Sequence, residues 1–96
     1  MTRKRRDDNQ AELVRQLRKI PGVSVEPSLA DLGKGLPDIM VGFHGRTWLF
    51  EVKDPSKSPS RRRLTGDEQD WHDAWTGHVD VAETLDDVLQ AIGWQG

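Results

Sequence analysis

Apolar residues in the first twenty positions fall on one side of a predicted helix. The positions that recur at helical spacing are Leu13, Val14, Leu17 and Ile20. One of Asp7, Asp8 and Asn9 is suited to cap the start of this helix, and Pro21-Gly22 ends it. The pattern therefore predicts an amphipathic helix with a single apolar stripe.

Two later segments begin with capping patterns. Thr65 and Glu68 match a capping box, which predicts a second helix that ends by Gly77. Thr84 and Asp87 offer the cap of a third helix that ends at Gly93. The apolar stripe of this third helix consists of Leu85, Val88, Leu89 and Ile92.

Strand patterns lie between these helices. Residues 23–27, 38–43, 46–53 and 79–82 are predicted strands, and the Gly- and Pro-containing residues 28–37 are a predicted loop. His44-Gly45 matches a two-residue hairpin turn between the second and third strands. The order αβββαβα predicts an α/β fold, with a mixed sheet flanked by helices and a C-terminal helix after an αβββαβ core.

Composition limits the classes of protein that fit this chain. Its 96 residues allow one domain, which we place at residues 9–96 after a basic flexible tail at 1–8. Cysteine is absent, which excludes a disulfide framework, a zinc–thiolate site and a cysteine nucleophile. We expect a cytoplasmic protein, since this composition fits a reducing compartment and no run approaches the ~20 apolar residues of a membrane span.

The hairpin allows a geometric argument about charged residues. If His44-Gly45 is the turn, Asp38 lies directly opposite Glu51, and Lys53 lies on the same face of the sheet. We call this the polar face; it also carries Met40, Gly42, Thr47 and Leu49. The other face is predicted to be core and carries Ile39, Val41, Trp48, Phe50 and Val52.

Directly opposed carboxylates repel each other, so Asp38 and Glu51 call for a compensating charge. Mg²⁺ is typically held by one or two carboxylates together with phosphate and water oxygens. Lys53 is placed to hold or deprotonate a water beside such an ion, or to stabilise charge on a phosphate. The alternative from spacing alone is a surface salt-bridge ladder at the end of a strand.

These residues also resemble a known family. Gly35-Leu36-Pro37-Asp38, followed after twelve residues by Glu51-Val52-Lys53, is similar to the PD-(D/E)XK nuclease signature. The segments GLPDIMVG and FEVKDPSKSPSRRRLT, with Gln69 and Trp71, resemble the small stand-alone form of the virus-type replication-repair nuclease (VRR-NUC) family. The resemblance spans roughly residues 12–92 and implies a restriction-endonuclease-like fold and a viral or prophage source.

The resemblance also implies roles for particular residues. Lys53 matches the catalytic lysine, and Gln69 matches a glutamine beside the active site. Glu12 and Gln69 have an alternative interpretation as ordinary polar helix residues. The groups placed at a Mg²⁺ or Mn²⁺ ion are the carboxylates of Glu12, Asp38 and Glu51 and the backbone carbonyl of Val52.

The uneven distribution of charge favours a polyanionic partner. Residues 53–63 hold five Lys/Arg against one acid, whereas residues 64–96 hold eight acids and no Lys or Arg. Solvated surface segments are the alternative interpretation. We expect the tail at Arg3–Arg6 to have a weak electrostatic role at most. The residues predicted to contact DNA are Lys34, Lys57, Arg61, Arg62 and Arg63.

The predicted function is metal-dependent hydrolysis of DNA phosphodiester bonds. The resemblance implies selectivity for branched DNA, with four-way (Holliday) junctions as the leading candidate. Two cuts on opposing strands need two sites, so we expect a homodimer. The alternatives are a flap or single-strand nuclease, a catalytically silent DNA-binding module, and an interaction protein that docks an acidic partner. We expect Trp48, Trp71 and Trp75 to be core or interface residues rather than base-stacking platforms.

Overall fold

The computed structural model describes residues 8–59 and 63–96. Residues 1–7 of the predicted tail at 1–8 and the predicted DNA contacts Arg61 and Arg62 therefore lie outside the described residues, and Asp8 begins the first helix. The elements in chain order are α1 (Asp8–Leu17), β1 (Ser24–Glu26), a 3₁₀ helix (Leu29–Leu32), β2 (Ile39–Phe43), β3 (Arg46–Val52), α2 (Gly66–Ala74), β4 (Val79–Ala82) and α3 (Leu85–Ile92). This α/β architecture, a mixed sheet flanked by helices and followed by a C-terminal helix, confirms the predicted fold class.

The four strands form one sheet in the order β1-β2-β3-β4. β1, β2 and β3 pair antiparallel, and β4 joins β3 in parallel. Phe43 pairs with Arg46, and the ladder continues in register to Ile39 opposite Phe50. His44 and Gly45 both have positive φ, 51° and 77°, as a tight hairpin turn requires. The predicted turn is confirmed, and so is the register from Phe43 to Ile39. The ladder ends there, so the predicted pairing of Asp38 directly opposite Glu51 is not part of it.

The core lies between one face of the sheet and helices α1 and α3. Every predicted inward residue of the β2–β3 hairpin is buried, and α1 and α3 cover these residues with their apolar stripes. This burial is the main source of stability in so small a fold. The helix residues in the core are Leu13, Val14, Leu17, Val88 and Ile92.

The starts of α2 and α3 follow the predicted capping patterns, whereas α1 ends at Leu17, before the predicted stop at Pro21-Gly22. Thr65 and Glu68 form a complete capping box at α2, and Thr84 and Asp87 form another at α3. Residues 28–37, predicted as a loop, contain a 3₁₀ helix because Asp31 and Gly33 bond three residues back, to Ser28 and Ala30. Along the part of the chain that is described, no helix is long and apolar enough to cross a membrane.

Helix α2 differs from the other two helices because none of its residues is buried. Trp48 lies in the core with 8% of its surface exposed, as predicted. Trp71 is half-buried, whereas Trp75 is 46% exposed and stacks on Trp71 with ring centroids 4.8 Å apart. The core interpretation is therefore wrong for Trp75, and an interface role for Trp71 and Trp75 stays a prediction.

Candidate active site

Asp38 and Glu51 meet at the end of the β2–β3 hairpin. Pro37 has no N–H to donate, so the regular ladder begins only after Asp38, whose N–H donates to the Phe50 carbonyl at 3.0 Å. The Asp38 side chain then extends the pairing, because its Oδ2 accepts from the Val52 N–H at 2.8 Å. This bond fixes the Asp38 carboxyl group on the polar face, within hydrogen-bonding reach of Glu51.

Glu51 carries a carboxyl group that is buried in the fold, with 4% of the residue exposed. Burial and the neighbouring Asp38 carboxylate raise the pKa of Glu51 to about 9. Burial also raises the pKa of Asp38, although the Val52 N–H opposes that rise. Oε1 of Glu51 is buried without a hydrogen-bond donor among the described residues. An unpartnered buried oxygen costs stability, so its position favours a ligand over a structural role.

Lys53 follows on the same face and brings the balancing charge. Its Nζ lies 3.4 Å from Oε2 of Glu51 and 3.0 Å from Oε1 of Glu68, and its side chain is 12% exposed. Burial lowers the pKa of Lys53, but its bonds to Glu68 and Glu51 outweigh burial and leave the pKa above its ordinary value. Lys53 is therefore a charged ammonium group at neutral pH.

Glu68 is the residue of this group that the sequence analysis assigned only to a helix cap. Its carboxylate joins Asp38, Glu51 and Lys53, and we call these four residues the acid–lysine cluster. Gln69, the neighbouring residue predicted for the site, is exposed and donates from its Nε2 to Asp73 at 2.9 Å. The capping box was the sequence signal that could have identified Glu68. It places the Glu68 side chain at the N-terminal end of α2, where it accepts from the Thr65 N–H.

Glu12 is separate from this cluster in its interactions. Its carboxylate pairs with Arg15 one turn later on α1, and it lines a cavity with residues of α1 and the start of α3. Its predicted place at a metal stays a prediction, as does that of the Val52 carbonyl. The Val52 N–H has a defined part in the site, because it orients Asp38.

The Gly35-Leu36-Pro37 segment packs against the first turn of α2. Gly35 has a φ of +77°, and a Cβ added there would lie 2.4 Å from the carbonyl oxygen of Asp67. Only glycine permits this approach without a backbone shift. The contact joins the loop before Asp38 to the turn that carries Glu68, so both sides of the acid–lysine cluster have a fixed spacing.

The described basic residues predicted to bind DNA are exposed. Lys34 precedes Gly35 and so lies beside the start of α2, whereas Lys57 lies in the loop that leaves β3 after Lys53. Arg63 is exposed two residues before Thr65, the cap of α2. Chain connectivity thus places these three positive charges around the end of the sheet that carries the cluster.

The residues fit a hard divalent cation in part. Two adjacent carboxyl groups, one with a buried unpartnered oxygen, match the one or two carboxylates by which proteins commonly hold Mg²⁺. Within residues 8–59 and 63–96, no group of three or more His, Cys, Asp and Glu side chains is arranged to hold a metal. An ion here would therefore complete its coordination with water, backbone or substrate oxygens.

Comparisons of the chain with protein-family models, with curated proteins and with solved structures find no match.

Proposed function

We propose that this protein is a metal-dependent deoxyribonuclease of the restriction-endonuclease-like type, as its resemblance to VRR-NUC proteins implies. One observation carries the proposal: the buried Glu51 carboxyl group lies beside Asp38 and 3.4 Å from the Lys53 ammonium group. An ordinary surface ion pair has neither this burial nor a second acid beside the first. Without a cation, the buried Asp38–Glu51 pair lowers the stability of the fold, as is common for residues of an active site.

Asp38 and Glu51 would hold Mg²⁺ or Mn²⁺, with the Val52 carbonyl and Glu12 as further candidate ligands. When bound, such an ion polarises a phosphoryl oxygen and lowers the pKa of a coordinated water. The metal-free pair retains a proton, because burial and mutual repulsion oppose ionisation of both acids. Loading the site therefore requires that proton to leave.

Lys53 would act in its charged form. The three predicted roles were to hold a water, to deprotonate it, or to stabilise charge on the phosphate. Because Glu68 and Glu51 keep the Lys53 pKa high, the ammonium group favours donation to a water or phosphate oxygen over removal of a proton. Its position on the strand after Glu51 lets it contact the same phosphate as the metal.

The substrate class rests on the basic residues and on the family resemblance. Lys34, Lys57 and Arg63 belong to segments that adjoin the cluster, from which they would neutralise phosphates on either side of the cut. We propose branched DNA, with four-way junctions first, cut by a homodimer that supplies one site per strand. The proposed location is the cytoplasm, which for a viral protein is that of the host.

A panel of labelled DNA substrates tests this proposal. Purified protein would be incubated with a four-way junction, a flap, single-stranded DNA and linear duplex, each with Mg²⁺, Mn²⁺ or EDTA. Paired symmetric nicks in the junction, lost with EDTA, are expected. Cleavage confined to flaps or single strands would support the proposed active site but contradict the proposed junction substrate. Salt-sensitive DNA binding without any cleavage would favour a catalytically silent DNA-binding module. If the protein neither binds nor cleaves DNA, the alternative of an interaction protein would be favoured.

A further inference from the structure

One oxygen of Glu68 has two hydrogen-bond donors that belong to different parts of the fold. Oε1 of Glu68 accepts from the Lys53 Nζ at 3.0 Å and from the backbone N–H of Thr65 at 2.9 Å. The first donor extends from the end of β3, and the second is the cap of α2. A single carboxylate oxygen thus links the lysine to the helix.

Glu68 competes with Glu51 for the same ammonium group. Lys53 Nζ lies closer to Glu68, at 3.0 Å, than to Glu51 Oε2, at 3.4 Å. Without Glu68, the flexible lysine side chain would settle on the Asp38–Glu51 pair, the nearest remaining acidic group. Glu68 therefore draws the positive charge away from the carboxyl group that would bind a cation.

The Gly35 contact sets the position of Glu68, and the capping box stabilises the turn that carries it. The backbone N–H of Glu68 donates to Thr65 Oγ1 at 3.2 Å, which completes the capping box. The backbone of Gly35 packs against the carbonyl of Asp67 and the N–H of Glu68. The first turn of α2 is thus held at a set distance from the hairpin. The bond from Lys53 to Glu68 then fixes where the ammonium group lies.

From these contacts we infer that Glu68 is a positioning residue, which holds the Lys53 ammonium group between two carboxylates and directs it toward the phosphate. The inference rests on the proposed nuclease function. The competing interpretation is that Glu68 only caps α2, since glutamate is a common residue at this place in a capping box. Three substitutions separate the two roles.

The substitutions differ in which bonds they remove. Glu68→Ala removes the Lys53 contact together with one half of the capping box. Thr65→Ala removes the other half of the box and leaves both bonds of the Glu68 carboxylate. Glu68→Gln keeps an acceptor oxygen for both donors but removes the charge, so it tests rescue by a conservative change.

The first measurement does not depend on nuclease activity. The folded variants are acylated at low reagent excess with a water-soluble activated ester, and the labelled fraction of Lys53 is read by mass spectrometry. An ion-paired, mostly buried amine reacts slowly, so Glu68→Ala should raise Lys53 labelling several-fold. Thr65→Ala should leave it near the wild-type value, and Glu68→Gln should lie between. Equal labelling in wild type and Glu68→Ala overturns the inference.

The second measurement is single-turnover cleavage of the best substrate under saturating metal. Glu68→Ala should slow cleavage about tenfold or more, the change expected for loss of one hydrogen bond to a charged group, with unchanged DNA affinity. Thr65→Ala should stay close to wild type, and Glu68→Gln should recover most of the rate. Equal losses in Glu68→Ala and Thr65→Ala would show a cap alone and overturn the inference.

The two measurements also separate this inference from the proposed function. Cleavage by wild type, with Lys53 labelling or rates unaffected by Glu68→Ala, overturns the positioning role and leaves the nuclease. No cleavage by wild type overturns the nuclease and with it any catalytic positioning, whereas raised labelling in Glu68→Ala would still establish the contact.

Discussion

The carboxyl groups of Asp38 and Glu51 lie side by side on the β2–β3 hairpin, within hydrogen-bonding reach of each other. The Val52 N–H holds Asp38 in place, and the fold buries Glu51 beside it. Two acids so arranged raise each other's cost of ionisation, and a cation or a retained proton relieves it. The stability, pH dependence and activity of the protein should all reflect this pair.

Replacement of the ionisable Glu51 side chain should stabilise the metal-free protein. At pH 8, Glu51→Gln is expected to raise the free energy of unfolding by at least about 1 kcal/mol, because it removes the penalty for keeping or ionising a buried acid. The same variant should lose the rise in melting temperature that Mn²⁺ gives to wild type. Chemical denaturation and thermal melts with Mn²⁺ or EDTA measure both quantities.

Glu26→Gln is the matched control for that substitution. Glu26 lies on β1 opposite Met40, on the same face of the sheet, but is exposed to solvent. The Glu26→Gln substitution removes one negative charge and leaves Asp38 and Glu51 unchanged. The free energy of unfolding should therefore change little, and Mn²⁺ should still raise the melting temperature. A Glu51→Gln protein that is less stable than wild type, yet still stabilised by Mn²⁺, would refute the metal assignment.

The pH dependence of stability has a definite sign. The folded pKa of Glu51, about 9, lies above its ordinary value of 4.5, so between these values the folded protein keeps a proton that the unfolded chain has lost. Metal-free wild type should therefore lose stability relative to Glu51→Gln as pH rises from 5 to 9. Unfolding curves at one-unit pH intervals test this; parallel trends for the two proteins would contradict the shift.

Cation binding should displace that proton. At pH 7, Mn²⁺ is expected to release about one proton per ion bound, and its affinity should fall as the pH is lowered. Titration calorimetry in buffers with different ionisation enthalpies counts the protons directly. Glu51→Gln serves as the blank. Binding that releases no proton, or that tightens at low pH, would be inconsistent with this site.

The close approach of Gly35 to α2 gives a test of the architecture. Gly35→Ala places a methyl group 2.4 Å from the Asp67 carbonyl oxygen, whereas Gly33→Ala has the same φ of +77° and no atom within 4 Å. Both substitutions strain the backbone, but Gly35→Ala should cost about 1–3 kcal/mol more. It should also slow cleavage, since it moves the turn that carries Glu68. Equal effects in unfolding and cleavage assays would contradict the packing role.

DNA binding should depend on salt through the residues around the cluster. Lys34→Ala and Lys57→Ala are each expected to reduce the slope of log affinity against log salt by about one. Lys19→Ala is the control, because Lys19 follows the opposite end of α1 from Asn9, whose side chain bonds the Lys53 carbonyl. Fluorescence anisotropy at several salt concentrations gives the slopes; an equal change in the control would remove the assignment.

The sequence analysis predicted the hairpin geometry well because a tight turn sets it. A two-residue turn at His44-Gly45 determines the pairs along β2 and β3 as far as Ile39 opposite Phe50. Asp38 comes directly before this ladder, and its side chain reaches Glu51 because it accepts from the Val52 N–H. The caps of α2 and α3 were equally local, since each rests on two residues three positions apart. Features determined by short-range geometry were thus accessible without the structure.

Features that depend on long-range packing were less accessible. Glu68 was assigned only to a cap, because the facing of α2 depends on the contact of Gly35 with Asp67, 32 residues later in the chain. The predicted role of Gln69 beside the site stays a prediction. Trp71 and Trp75 were expected in the core or an interface, but the sequence did not show whether the fold supplies a partner for them. Glu12 pairs with Arg15 on α1, and its predicted place at a metal stays a prediction.

The most direct test of the central claim compares three proteins on one labelled four-way junction, with Mn²⁺ and with EDTA. Wild type and Lys19→Ala should nick the junction symmetrically in Mn²⁺ and not in EDTA, and Lys53→Ala should be slower by at least about 100-fold while remaining folded. Cleavage by Lys53→Ala at the wild-type rate, or cleavage that persists in EDTA, would show that the acid–lysine cluster is not the active site.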